Sequence, residues 1–403
     1  MPPTNAEREI RPDRRHYLDW LRVAMLGCVF FVHTLMPFNS VSDWAIMNGE
    51  TAFLPAGIAG YFYQWVMPVF FLVSGASAGL SLRRFRPARY LRLRARRLAV
   101  PYVLGVLVLC LIHDYFAALN HGEFNDSFRA FVPEFYKAAH WNWSLSFGLP
   151  DNHLWFLQYL FWYSVFALPV FVWLRTAPGR RCLDRIAASL ARPYLIFLAA
   201  VPVAVIQGGL RPAFHEHGGW SDVFVWFFFF LAGYVLVADK RFETAVRRRG
   251  FCGVFVGAAC MIATALLYRR GYIEAWELNP THSTGAVLYE ALRALNTCAW
   301  VLFYLWAGMR FLKAGSTLLT RANEGLLPFY ALHQVVIVVA GYYVLPWDMG
   351  ILPKWIVLFT LSLAAAIGIY ELGIRRFTPM RIAFGMRPRS QPVSTGALPH
   401  ARA

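Results

Sequence analysis

Arg22 and His33 stand eleven residues apart in YLDWLRVAMLGCVFFVHTLMPF, the mostly apolar stretch from Tyr17 to Phe38. On a helix that separation is three turns plus about 20°, so both side chains share one face, roughly 16 Å apart along the axis. Histidine can accept or release a proton near neutral pH. Arginine offers a planar fork that fits phosphate or carboxylate. The stretch is about as long as a bilayer-crossing helix, where an ionisable side chain is costly and marks a lined cavity or a partner. Either residue alone has a plainer explanation: Arg22 can snorkel to headgroups, and His33 can be a satisfied polar residue near the surface. Two on one face favour a polar path. Asp19, one turn from Arg22, is placed to orient it.

Other residues could join such a path. RRFRPARYLRLRARRLAVPY carries eight arginines between Arg83 and Arg97. Arg92, Arg96 and Arg97 recur at helical spacing, as a phosphate-rich cytoplasmic donor would require. Contact with anionic lipid explains the same cluster, and the two roles can coexist. Upstream, the run from Ser74 to Gly79 consists of small residues. It permits close helix packing, or Ser74 and Gly75 leave room for a substrate chain. The segment 120–152 is rich in His, Trp and Asn (His121, His140, Trp141, Asn142, Trp143) and leads into DNHLWFLQYLFWY, with His153 and Trp155. These aromatics suit an interfacial belt and also the stacking of sugar rings. His333 falls near the middle of GLLPFYALHQVVIVVAGYY, where His333 and Gln334 read as a structural hydrogen-bonding pair. His215, Glu216 and His217 resemble a metal triplet, but adjacent residues on a loop without further ligands do not make a site, so no metal is expected. No GxSxG, phosphate-binding glycine loop or HExxH occurs in a supporting context.

The elements that position these residues are membrane helices. The chain of 403 residues is 58% hydrophobic and only 15% charged, unlike a soluble domain of this length. Ten spans are expected, at 17–38, 59–82, 98–119, 153–174, 192–209, 220–238, 251–268, 286–309, 325–345 and 353–374. Of the 39 Lys and Arg, 31 fall in alternate segments beginning with the N-terminus, 6 in the others, and Arg22 and Arg293 within spans. That split is a positive-inside signal that puts both termini in the cytoplasm. The formal charge of +17 therefore reads as topology and lipid contact, with no nucleic-acid partner. The expected organisation is a basic N-terminal tail at 1–16, acting as a mobile arm, a transmembrane domain at 17–376 and a disordered tail at 377–403. No cleavable signal peptide is expected. The six cysteines show neither a disulfide framework nor metal-ligand spacing.

Four motifs in order, LDWLRVAMLGCVFFVH, VFFLVSGASAGLSLRR with RARRLAVPY, HLWFLQYLFWY and LPFYALHQ, give a more specific reading. In this order and spacing the chain resembles the bacterial acyltransferase 3 family of integral membrane acyltransferases, over about 17–375. Within it, the resemblance is nearest to glucan succinyltransferase-like members (glucans biosynthesis protein C), which lack an appended extracytoplasmic domain. The resemblance implies an all-α bundle of about ten helices in the bacterial inner membrane. It implies an O-acyltransferase that carries an acetyl or succinyl group from cytoplasmic acyl-CoA to a hydroxyl of an extracytoplasmic glycan, with no cofactor beyond that donor. The family's arginine and histidine of the first span correspond to Arg22 and His33, its arginine-rich segment to Arg96 and Arg97, and its His-Leu-Trp element to His153 and Trp155. Leu160 stands where common O-acetyltransferases carry a glutamate, which puts a glutamate-assisted mechanism in doubt. The implied roles are His33 or His153 as general base and Arg22, Arg96 and Arg97 toward the donor. Asp19, Ser74, Trp155 and His333 support them. A transporter or glycolipid flippase would also want polar residues in spans, but no paired broken helices or repeat halves are visible.

Overall fold

The computed structural model describes residues 15–388 except 138, 140–145, 147, 191, 193–194, 215–217 and 279–281. His140, Trp141, Asn142, Trp143 and the triplet His215, Glu216 and His217 lie outside the described residues, as do Arg8, Arg11 and Arg14. Nine helices among the described residues are long and apolar enough to cross a membrane. They are α1 (His16–Phe38), α2 (Phe53–Leu82), α3 (Pro87–His121), α4 (Asn152–Trp173), α6 (Trp220–Ala238), α7 (Cys252–Arg269), α8 (Thr284–Phe311), α9 (Thr317–Val344) and α10 (Ile351–Ile374). The shorter apolar helix α5 (Leu195–Leu210) stands where the fifth span was expected. The described residues hold no strand, only an isolated bridge between Asn39 and Ala52. The protein is a polytopic all-α membrane bundle.

Proline chemistry explains where the long helices depart from regularity. α2 begins at Phe53, earlier than expected, and is interrupted between Tyr63 and Val66. Pro68 has no N–H for the Gln64 carbonyl and its ring crowds that carbonyl, so the helix breaks one turn upstream. α3 takes in much of the arginine-rich segment and widens into π turns at Ala95–Ala99 and Val106–Cys110. Pro101 likewise deprives the Arg97 carbonyl of its donor, and the first π turn lies just before it. Gly385, at φ 69°, packs onto this carbonyl so closely that an added Cβ would lie 2.6 Å from the Arg97 oxygen.

The segment expected to be disordered from 377 is therefore structured at its start. Thr378–Ala383 is helical, and Arg381 is buried, with Nη2 donating to Glu324 Oε1 at 2.9 Å and Nε to the Arg387 carbonyl at 2.8 Å. A buried guanidinium persists only when its donors are matched, and here Arg381 is matched by Glu324 and by backbone carbonyls. At the other end Arg15, the last arginine of the expected mobile arm, is paired with Glu243 at 2.9 Å.

Burial separates central from peripheral helices. The apolar windows of α2 and α9 are 72% and 67% buried, those of α7 and α10 only 17% and 22%. Exposed Phe255 and Leu352 on the outer helices face the position of lipid. At the centre, α2 and α6 lock backbone to backbone: an added Cβ on Gly75 would lie 1.8 Å from the Phe230 carbonyl oxygen, and one on Gly233 1.8 Å from that of Leu72. The small-residue run is thus a helix contact. The space at Gly75 is filled by α6 and leaves no room for a substrate chain.

Candidate active site

Three helices bring three histidines together. His33 comes from the far end of α1, His153 from the start of α4 and His333 from the middle of α9. His33 Nδ1 lies 2.9 Å from His333 Nε2, with the rings 8° from parallel. The His153 ring stands edge-on to His333, with centroids 4.9 Å apart. His333 is completely buried and its Nδ1 lies 2.6 Å from the Tyr330 carbonyl oxygen.

These contacts fix the tautomers. A carbonyl oxygen only accepts, so His333 carries its proton on Nδ1 and keeps a lone pair on Nε2. That lone pair accepts the His33 Nδ1–H, which leaves His33 Nε2 as the basic nitrogen. His33 is only partly buried, and Trp44 from the loop after α1 covers its ring at 5.9 Å. That loop is itself tied down, because buried Lys354 donates to Asn48 Oδ1 at 2.9 Å and to the Leu345 carbonyl at 2.7 Å.

His153 is held differently. Its Nε2 donates to the Ala331 carbonyl at 3.0 Å, its backbone N–H donates to Gln334 Oε1 at 3.2 Å, and its carbonyl accepts from the Tyr330 hydroxyl. All three partners belong to α9. The expected His333–Gln334 pair therefore does not form. Neighbours on a helix diverge by about 100°, so His333 reaches His33 while Gln334 reaches His153. The basic nitrogen of His153, Nδ1, is buried without a hydrogen-bond partner.

The lead into α4 is clamped to α3. Asn152 sits at φ 42°, a left-handed conformation that asparagine tolerates, and its Nδ2 donates to Asp114 Oδ1 at 2.9 Å. The Tyr102 hydroxyl donates to Asp151 Oδ2 at 2.9 Å. Burial raises the Asp151 carboxyl above the usual range, and the bond from Tyr102 opposes part of that shift.

Asp114 also takes the Nδ1–H of His113 at 2.7 Å, which makes a histidine–carboxylate dyad whose Nε2 is buried without a partner. Sequence reading passed over this dyad, although adjacent His and Asp in an apolar segment were a visible signal. Trp44 and Tyr330 gave none.

At the other end of α1, Arg22 Nη1 donates to Asp19 Oδ1 at 2.9 Å and Nη2 to the Ser77 hydroxyl, which itself donates to the Val73 carbonyl at 2.7 Å. Arg22 is thus anchored on the small-residue run of α2. Arg96 and Arg97 are exposed in the π turn, whereas Arg94 turns inward, with Nη2 3.4 Å from the Ser74 carbonyl oxygen. Trp155 is partly buried and stacks on Trp226 at 4.7 Å and 18°. Leu160 is buried in the core, so no carboxylate is offered there.

The family described as Acyltransferase domain matches residues 15–371, which takes in α1 to α9 and most of α10. The chain belongs to the acyltransferase 3 family. It is similar to Glucans biosynthesis protein C of Salmonella heidelberg (strain SL476), with 24% identity over 96% of this chain and 98% of the relative. The same protein of Salmonella agona (strain SL483) is 23% identical over the same shares. No solved structure matches the chain. As an acyltransferase 3 protein it is a multi-pass membrane O-acyltransferase. The histidine cluster therefore sits in an enzyme whose reaction moves a proton from a hydroxyl and an acyl group onto the oxygen.

Proposed function

We propose that this protein transfers an acetyl or succinyl group from cytoplasmic acyl-CoA to a hydroxyl of an extracytoplasmic glycan, with His33 as general base. It would do so in the bacterial inner membrane with both termini cytoplasmic, an orientation supported by the 31-to-6 division of Lys and Arg. The glycan acceptor is supported by the similarity to Glucans biosynthesis protein C. Anionic lipid at the arginine-rich segment remains part of the proposal.

The observation that carries the reading is the chain from His33 Nδ1 to His333 Nε2 and from His333 Nδ1 to the Tyr330 carbonyl. It leaves the lone pair on the nitrogen of the more accessible imidazole. His33 Nε2 takes the hydroxyl proton as the acceptor oxygen attacks the thioester carbonyl. The carbon–sulfur bond then breaks, the ester forms, and the proton returns to the departing thiolate, giving free CoA. Arg22, about 16 Å along the helix from His33, and exposed Arg96 and Arg97 serve the phosphate-bearing donor. His153, held by α9 through both backbone and ring, shapes the pocket and is the competing base.

Single-turnover transfer from labelled acyl-CoA to a glucan acceptor tests this. Loss of a general base lowers rate about 10²–10⁴-fold, so His33→Gln is expected to fall by about that factor in correctly folded protein. Gln keeps hydrogen bonding but takes no proton. Near-normal transfer by His33→Gln, with the wild-type pH dependence and loss instead in His153→Gln, would move the base to His153. Movement of substrate without chemistry would favour the transporter alternative.

A further inference from the structure

A cavity of about 570 Å³ lies apart from the histidines, between α2, α5, α6, α7 and α8. That volume is in the range of about 300–1,000 Å³ usual for small-ligand clefts. Its lining is rich in charge for a cavity walled by membrane helices. Arg211 Nη2 donates to Asp222 Oδ1 at 2.8 Å, and Arg293 Nη1 donates to both Glu290 oxygens, at 3.0 and 3.2 Å. Asp222 and Glu290 are 8% and 7% exposed. Charges placed this deep mark function more often than stability, since burial costs more than pairing returns.

Two guanidiniums and two carboxylates cancel, so a charged ligand gains no net attraction and would have to break a pair. A neutral ligand carrying many hydroxyls loses nothing. Its oxygens accept from the Arg293 N–H groups outside the Glu290 pair, and its O–H groups donate to the second lone pairs of the Glu290 oxygens. A second observation points the same way. Gln207 lines the cavity, is 5% exposed, and its side-chain oxygen has no hydrogen-bond partner. A buried acceptor without a donor is costly unless something else supplies one. Trp276 and Tyr289, with ring centroids 5.6 Å apart, add aromatic side chains to the wall, of the kind that pack against the apolar CH face of a sugar ring.

We propose that this cavity binds one glycosyl residue of the acceptor. Trp226 forms part of its wall and stacks on Trp155, two residues beyond His153, so the cavity and the histidine cluster share an aromatic partition. Counting helix traverses, Arg211, Asp222, Glu290 and Arg293 lie toward the same end of the bundle as His33. That the bound sugar is the acceptor rests on the acyl-transfer reading; that the cavity takes a sugar rests on its own residues.

The test is calorimetric titration of the purified full-length protein in detergent with a short linear glucose oligosaccharide. Saturable binding is expected, weakened about tenfold by Gln207→Leu and by Trp276→Ala. Gln207→Leu removes an unsatisfied buried oxygen, so its melting temperature should stay level or rise, which a merely structural role for Gln207 would not give. Absence of saturable binding to the wild type, or unchanged affinity in both variants, overturns the proposal. If the oligosaccharide binds and both variants lose it while no acyl-CoA supports transfer, the cavity assignment holds and the acyl-transfer reading fails. If transfer proceeds with an unaltered acceptor KM in both variants, the reading holds and the cavity assignment fails.

Discussion

Replacing His333 with leucine tests the relay without touching the proposed base. In the resting enzyme the His33–His333 contact is a neutral hydrogen bond, contributing about 1 kcal/mol. Once His33 has taken the hydroxyl proton, the same N–H belongs to an imidazolium, and such bonds contribute about 1.5–3 kcal/mol. Only the difference between the two, about 0.5–2 kcal/mol, accelerates the reaction, which is about two- to thirtyfold in kcat. The expected fall is therefore about two- to thirtyfold in kcat, with acceptor and donor KM unchanged. That is milder than loss of His33 itself. Gln at 333 presents a carbonyl oxygen to the same N–H and should recover part of the rate. Single-turnover transfer at saturating donor, on variants matched for folded fraction by thermal melting, measures this. A His333→Leu enzyme with wild-type kcat, or one altered only in KM, would refute the relay.

Two further outcomes follow from the packing and from the entry to α4. Gly75→Ala places a methyl group 1.8 Å from the Phe230 carbonyl oxygen; overpacking typically costs about 1–3 kcal/mol, seen as a lower melting temperature in detergent, while Gly57→Ala, with open space around it, should melt near the wild type. Asp151→Asn should melt at or above the wild type at neutral pH. Burial raises the Asp151 carboxyl, so its stabilising, protonated form is lost as pH rises through the folded value, whereas asparagine accepts from Tyr102 at any pH. The advantage should vanish on acidification below the ordinary carboxylate range, and melting curves at several pH values decide it.

The sequence by itself determined the membrane class, the span order and the chemistry-bearing residues of α1. These rest on local properties: apolar run length, the 3.6-residue period that sets Arg22 and His33 on one face, and the partition of basic residues between loops. Single residues also set local irregularities. Pro68 and Pro101 remove specific backbone donors, but the break at Gln64 and the π turn at Arg97 show only in the folded backbone. The tail after Arg376 reads as disordered because it is basic and rich in Pro and Ser. It is held at its start because Arg381 finds Glu324, far off in sequence, as its partner.

Tertiary structure alone decided which polar groups meet. His333 is 300 residues from His33, and nothing in either segment says that they share a proton, because hydrogen bonds act over about 3 Å whatever the separation along the chain. The same holds for Gln334 reaching His153, for Asp114 serving both His113 and Asn152, and for two buried ion pairs closing around one cavity. Composition supplied the polar residues, and the packing of α9 between α1 and α4 assigned each its partner and so its protonation state.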